Sequence, residues 1–259
     1  MMRIAAVADV HFGPGSAGTL RPHLEGIEER ADVLLLAGDL TRVGEPAEAR
    51  LLADELRDTP VPVVAVLGNH DFHVERPGEV IDALTRGGIR VLEGDTFTLE
   101  KGGMRLAVAG VKGFGGGFMG ASGSEFGEPE MKAFIKHTRA RAERLSEALA
   151  AEEADVRVAL LHYAPIPETL QGERLEIYPF LGSYLLAEAI DRVGADLALH
   201  GHAHAGSERG VTPGGVQVRN VALPVIGRPY KVYCFGTEGC DDEDTLSDRL
   251  VRASGTAAG

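Results

Sequence analysis

The chain has 259 residues, of which 44% are hydrophobic and 25% charged, with Asp+Glu 39 against Lys+Arg 26 and a formal net charge of −13. That size and balance suit one large globular domain with a well-buried core, and they exclude low-complexity and fibrous classes. The acidic excess offers no basic face for a nucleic acid polymer, and no apolar run approaches the roughly 20 residues that span a bilayer.

Met1-Met2-Arg3-Ile4 runs straight into a strand over residues 4–10, so no signal peptide and a cytoplasmic location are expected. Further strands are predicted over Val33–Ala37, residues 63–67, 106–111 and 156–162, and Leu197–His200. Each is a short, continuous apolar run, the pattern of a strand buried on both faces. A helix over residues 45–57 opens at Pro46 and places Ala49, Leu52, Ala53 and Leu56 at helical spacing. A shorter helix over residues 78–86 stops at Gly87-Gly88. The clearest helix covers residues 129–152, where Met131, Phe134, Ile135, Thr138, Ala142, Leu145 and Leu149 form one apolar stripe. Another covers Tyr184–Val193, and Gly214-Gly215 marks a turn before strands over residues 216–221 and Lys231–Phe235 that close a second sheet.

No repeat or linker divides the chain, so residues 1–236 are expected to form one domain. Residues 237–259, first acidic and then small and polar, are expected to be a disordered tail. The two cysteines, Cys234 and Cys240, are too few for a disulfide framework and far from the histidines, and are read as structural or incidental.

Five short blocks carry the chemistry: Asp9-Val-His11, Gly38-Asp39, Gly68-Asn69-His70-Asp71, His162, and Gly201-His202-Ala203-His204. Nearly all follow a predicted strand directly. Asp9 and His11 are two apart, so on a regular strand both face one way; His202 and His204 repeat the spacing. Asp39 closes a fully apolar strand, where a carboxylate would be buried unpaired unless a cation meets it. Its two oxygens allow it to bridge two metals, which a neutral imidazole cannot do. Asn69 offers a carbonyl oxygen, His70 lies beside it, and Asp71 is placed to hold the His70 imidazole and raise its basicity. His200, inside its strand, is read as a packing or supporting residue. The Asp, His and Asn donor set, free of Cys, suits Mn²⁺, Fe or Zn²⁺. Two such ions about 3.5–4 Å apart clamp the oxygens of an in-line displacement.

With these blocks in this order, the chain resembles the calcineurin-like metallophosphoesterase family over residues 1 to about 235. The resemblance implies a four-layer α/β/β/α sandwich of two mixed β-sheets flanked by helices. It also implies a dinuclear centre at the C-terminal edge of the strands, with Mn²⁺ the first choice of metal. One metal would take Asp9, His11, Asp39 and His204, and the other Asp39, Asn69, His162 and His202. A hydroxide bridging the pair would attack phosphorus in line, with Asn69 and His70 at the substrate and His70 protonating the leaving group. Arginines that grip phosphate in the family's protein phosphatases have one counterpart here, Arg42, which weakens that reading.

Substrate choice is expected to reside in two insertions. Residues 110–127 are glycine-rich and carry Phe114 and Phe118, which could cap an apolar leaving group. Residues 164–183 follow His162 and carry Tyr178 with Glu168, Glu173 and Glu176. Those glutamates would repel a doubly charged terminal phosphate more than a singly charged diester. The expected partner is therefore a small anionic phosphodiester, with a phosphomonoester as the alternative, and Arg42 and His73 as further wall residues. A nuclease and a catalytically silent scaffold complete the alternatives.

Overall fold

Two six-stranded sheets face each other in the computed structural model, which describes residues 1–236 and 244–245. The first comprises β1 (Met2–Val7), β2 (Val33–Ala37), β3 (Val63–Val66), β4 (Arg90–Val91), β13 (Lys231–Phe235) and β14 (Asp244–Thr245), in the order β14-β13-β1-β2-β3-β4. The second comprises β5 (Asp95–Lys101), β6 (Met104–Gly110), β9 (Val156–Leu160), β10 (Leu197–His200), β11 (Arg209–Val211) and β12 (Gln217–Asn220), in the order β11-β12-β10-β9-β6-β5. A small ladder of β7 (Gly117–Phe118) and β8 (Ala121–Ser122) stands apart from both. Both large sheets are mixed. β13 is antiparallel to β1, β11 to β12 and β5 to β6, and the other neighbours are parallel.

Strand alternation explains the layering. Met2, Ile4 and Ala6 of β1, with Val33, Leu35 and Ala37 of β2, point into the space between the sheets. There they meet Leu106, Val108, Val158, Leu160, Leu197 and Leu199 of the second sheet. Ala5, Val7, Leu34 and Leu36 point outward and pack on Leu52 and Leu56 of the helix Pro46–Leu56 and on Val80 and Leu84 of the helix Pro77–Arg86. The outer face of the second sheet, with Ala109, Ala159 and Ala198, is covered by Leu145 and Leu149 of the helix Pro129–Ala150 and by Leu186 and Ile190 of the helix Tyr184–Val193. The result is the expected α/β/β/α stack. Continuous apolar runs were needed because each strand is covered on both faces.

The strand β5 escapes the sequence reading. It is an edge strand with a largely solvent-facing pattern, DTFTLEK, in which only Phe97 and Leu99 pack on the core. Its pairing with β6 across Gly102-Gly103 covers that flank. The predicted strand over residues 4–10 also ends early, at Val7, because the chain leaves extended geometry to present Asp9 and His11. Cys234 lies buried in β13 and is disulfide-bonded, the structural one of the two roles left open by the sequence; Cys240 lies outside the described residues. A low cysteine count limits how many bridges form, not whether one does. The expected disordered tail also lies outside the described residues, apart from the two of β14. No helix among the described residues is long and apolar enough to cross a membrane.

Candidate metal centre

The C-terminal ends of β1, β2, β3, β9 and β10 meet at one edge of the sandwich, the place where open α/β sheets bind ligands. Asp9 and His11 leave β1, Asp39 leaves β2, Asn69 and His70 leave β3, His162 leaves β9, and His202 and His204 leave β10. Backbone bonds lock these turns together, from Asp9 N to Gly38 O (3.0 Å) and from His11 N to Asp39 O (3.0 Å).

Backbone strain concentrates here. Among the described residues, five non-glycine residues have positive φ, and four of them are Asp9 (60°), His11 (42°), Asp39 (50°) and His202 (71°). Each such conformation costs on the order of 1–3 kcal/mol and persists only where the surroundings over-determine it. Space is reserved as well. A Cβ on Gly68 would fall 2.1 Å from Asp39 Oδ1, and one on Gly201 2.3 Å from Asp9 Oδ2. Only glycine lets those loops approach the carboxylates so closely.

The donor atoms form three overlapping groups, Asp9–His11–His204, His11–Asp39–His70 and Asp39–His162–His202, each with its ligand atoms within 4.8 Å of one another. Asp39 is common to two of them. The chemistry of these atoms fits cations. His162 Nδ1–H donates to Ala37 O at 2.9 Å, which leaves a lone pair on Nε2. That lone pair faces Asn69 Oδ1 at 2.9 Å and Asp39 Oδ1 at 3.3 Å. Three acceptors converging without a proton between them need a positive ion to satisfy them. His202 is oriented similarly, with Nε2 3.3 Å from Phe180 O and Nδ1 left as the lone-pair nitrogen. His204 Nε2 lies 3.0 Å from Asp9 Oδ1, and Asp9 also accepts from His202 N at 3.0 Å.

The protonation states of Asp9, His11 and His202 agree with ligation, which needs neutral imidazoles and ionised carboxylates, and only His204 is shifted the other way. Burial lowers His11 and drives His202 down to about 3, so both rings stay neutral. Burial pushes the Asp9 carboxyl up, but the His204 hydrogen bond and the surrounding imidazoles outweigh it and leave the group below its ordinary value. The same bond to Asp9 raises His204.

His70 stands at the rim. Its Nδ1 lies 2.7 Å from Arg42 O, its Nε2 lies 3.9 Å from Asp39 Oδ2, and its ring is 4.5 Å from that of His11. Asp71 was expected to hold this imidazole and does not. Its carboxylate, fully buried, accepts from Gly68 N (2.8 Å), Leu40 N (3.2 Å), Thr41 N (2.8 Å) and Thr41 Oγ1 (2.5 Å). It therefore ties the Asp39 loop to the Asn69 loop, and a backbone carbonyl orients His70 instead. Burial, the largest influence, pushes the Asp71 carboxyl up.

The expected substrate residues divide. His73 is exposed, with its ring 6.5 Å from that of His70, so it borders the site. Arg42 is exposed and contributes its carbonyl to His70. Phe118 is buried in a small core with Ala164, Leu170, Leu181 and Ala203, and half-buried Tyr178 packs against it with its OH donating to Leu170 O at 2.9 Å. Phe114 is half-buried against Phe134, His137 and Tyr163. The glycine-rich segment is likewise less free than its composition suggests. Gly116 N donates to Pro179 O (2.7 Å) and Gly117 N to Gly182 O (3.0 Å), which stitches the two insertions into one wall. His200, satisfied by Gly201 O and Thr169 Oγ1 at 2.8 Å each, is a supporting residue as expected.

Sequence reading missed Lys112 altogether. It follows β6 by two positions, is 8% exposed, and sits among the rings of Phe72, Phe114 and Tyr163. Burial lowers its ammonium to about 8. A lysine behind an apolar run carries no signal of this kind; pairing of β6 with β9 is what brings it beside His162.

The family model described as calcineurin-like phosphoesterase matches residues 2–206. No curated protein matches the chain in sequence. Among solved structures, the phosphopantetheinyl hydrolase from Mycobacterium tuberculosis superposes with a TM-score of 0.61 at 18% identity, over 86% of this chain and 89% of that one. The protein TT1561 of Thermus thermophilus superposes with a TM-score of 0.52 at 18% identity, over 85% of this chain and 88% of the other. At such identities the likeness is one of fold.

Proposed function

Because the chain belongs to the calcineurin-like phosphoesterase family, whose members hydrolyse phosphoesters with a dinuclear metal centre, we propose that it cleaves a small phosphodiester. Asp9, His11, Asp39 and His204 would hold one ion, and Asp39, Asn69, His162 and His202 the other. Mn²⁺ is our first choice for an N,O donor set with no thiolate. When bound, two divalent ions supply a nucleophile from water at neutral pH and neutralise charge on the phosphoryl oxygens.

The observation that carries this reading is the convergence of His162 Nε2, Asn69 Oδ1 and Asp39 Oδ1 on one point without a donor. His70 supplies the acid. Arg42 O accepts a hydrogen bond from Nδ1–H and so fixes the tautomer. Protonated at Nε2 on the open side, the ring can then deliver that proton to the departing oxygen as the P–O bond breaks.

The preference for a diester rests on charge at the rim. Glu173 Oε1 accepts from Ala205 N at 2.8 Å, and its charge is felt by His204. A fixed carboxylate there opposes a dianionic monoester more than a monoanionic diester. The test strips the protein of metal, reloads it with Mn²⁺ and compares bis(p-nitrophenyl) phosphate with p-nitrophenyl phosphate. Faster diester cleavage is expected; faster monoester cleavage would replace this reading with a phosphomonoesterase, and no turnover of either would reject both.

A further inference from the structure

Lys112 has no part in the chemistry proposed above, yet its side chain is largely buried, 8% exposed, beside the metal centre, with the ammonium open to solvent. Among the described residues, no hydrogen bond or ion pair reaches its Nζ. The nearest carboxylate is already engaged: Glu93 Oε1 pairs with Arg141 at 2.5 Å, and Glu93 Oε2 accepts from the Lys112 backbone N at 3.2 Å. Nζ lies instead 4.9 Å from the ring centre of Phe72, 5.1 Å from Phe114 and 5.0 Å from Tyr163. Aromatic faces attract an ammonium, but they offer its three N–H donors no lone-pair acceptor, which leaves them open to solvent or to an anion.

These rings connect Nζ to both halves of the centre. Phe72 closes the turn that begins at His70. Tyr163 follows His162, and its ring stands 5.6 Å from that of His162 and 4.6 Å from that of His202. The lysine backbone is fixed to the same loop, since Lys112 O accepts from His162 N (3.0 Å) and Tyr163 N (3.1 Å). Loading the centre with divalent cations would add like charge beside an ammonium that has no carboxylate of its own. An anion from outside relieves both, and the three open donors match phosphate oxygens.

We propose that Lys112 forms an anion subsite beside the metal centre, taking a second, phosphate-like group of the substrate, distinct from the phosphoryl undergoing hydrolysis. The offset supports a neighbouring group: Nζ is one ring removed from the ligand imidazoles, with Tyr163 as the shared neighbour. The exposed part of Phe72 (38%) supplies an apolar wall for the link between the two groups. This deepens the phosphodiesterase reading and rests on it.

The test uses the Mn²⁺-loaded full chain and two chromogenic diesters, thymidine 5′-(p-nitrophenyl phosphate) and the same compound with a 3′-phosphate. The wild-type protein should prefer the 3′-phosphorylated diester. Lys112→Met, nearly isosteric, should lower that preference about 10- to 100-fold, mainly through KM, as expected for a lost charge-assisted hydrogen bond. Lys112→Arg should keep most of it, and a melting curve for each variant checks that the fold is intact. An equal loss on both diesters would make Lys112 a structural residue and overturn the proposal, as would a wild-type protein with no preference. Failure of the wild-type protein to turn over either diester would instead reject the phosphodiesterase reading, and this proposal with it.

Discussion

Replacing His70 with Ala separates metal binding from proton delivery. The substitution deletes the imidazole but keeps the backbone N–H that donates to Asp39 Oδ1 at 2.9 Å. Asp71 and its four donors, which hold the loop, are untouched. Metal content should therefore stay at the wild-type level by elemental analysis. Loss of a general acid costs about 10²–10⁴ in rate, or roughly 2.7–5.5 kcal/mol at 1.36 kcal/mol per decade. That loss should depend on the leaving group. An alkyl diester releases a strongly basic alkoxide and needs the proton, so its rate should fall at least about 100-fold. Bis(p-nitrophenyl) phosphate releases a stable phenolate and should lose less than about 10-fold. The assay compares kcat for both substrates at saturating Mn²⁺. Equal losses on the two substrates, with metal retained, would refute the acid role; loss of metal would recast His70 as a ligand.

Asp39→Asn removes the charge common to two ligand groups, and should abolish turnover and leave at most one metal per chain; full metal content in the variant would contradict a bridging role. Asp71→Ala orphans three buried donors, at Gly68, Leu40 and Thr41, a loss of about 3–9 kcal/mol at roughly 1–3 per unsatisfied group. Its melting temperature should drop by at least about 6 °C, at roughly 2–4 °C per kcal/mol, whereas an unchanged melt with a shifted pH–rate profile would restore Asp71 as the partner of His70. Glu55 is buried, and its carboxylate accepts from Gly18 N (2.9 Å), Leu20 N (2.9 Å) and Arg21 N (2.7 Å). Burial pushes its carboxyl up, but the three donors outweigh it and hold it below its ordinary value. A depressed folded value stabilises above the unfolded value of about 4.3 and is lost as pH falls through the folded one. The melting gap between wild type and Glu55→Gln should accordingly shrink on acidification from about pH 6 to about pH 3; a gap independent of pH would sink this account.

Much of this cluster of side chains could be read before any coordinates. Asp9, His11, Asp39, Asn69, His162, His202 and His204 each stand where an apolar run ends, and a polar ligand at the mouth of a buried strand is a local pattern. The four layers were legible for the same reason, because strands covered on both faces are continuously apolar. β5 was not, since an edge strand with one wet face resembles a polar loop.

The surroundings of the remaining residues depend on contacts between distant parts of the chain. Asp71 adjoins His70 in sequence, yet its carboxylate turns inward to Leu40, Thr41 and Gly68, and the imidazole finds Arg42 O. Backbone carbonyls of Ala37 and Phe180 orient His162 and His202, and a carbonyl has no signature in a list of side chains. Phe118 and Tyr178 were aromatic and near the ligands in sequence, but the fold gives them a small core of their own. Lys112 shows the opposite case, an ordinary lysine that strand pairing places among three rings beside His162. Which atoms can bind metal, and on which strand ends they stand, follows from side-chain chemistry and local periodicity, so both are readable along the chain. Which way each ring faces, which carboxylate is free and where the spare positive charge lies depend on pairings between residues tens of positions apart. Those pairings exist only once the chain has folded.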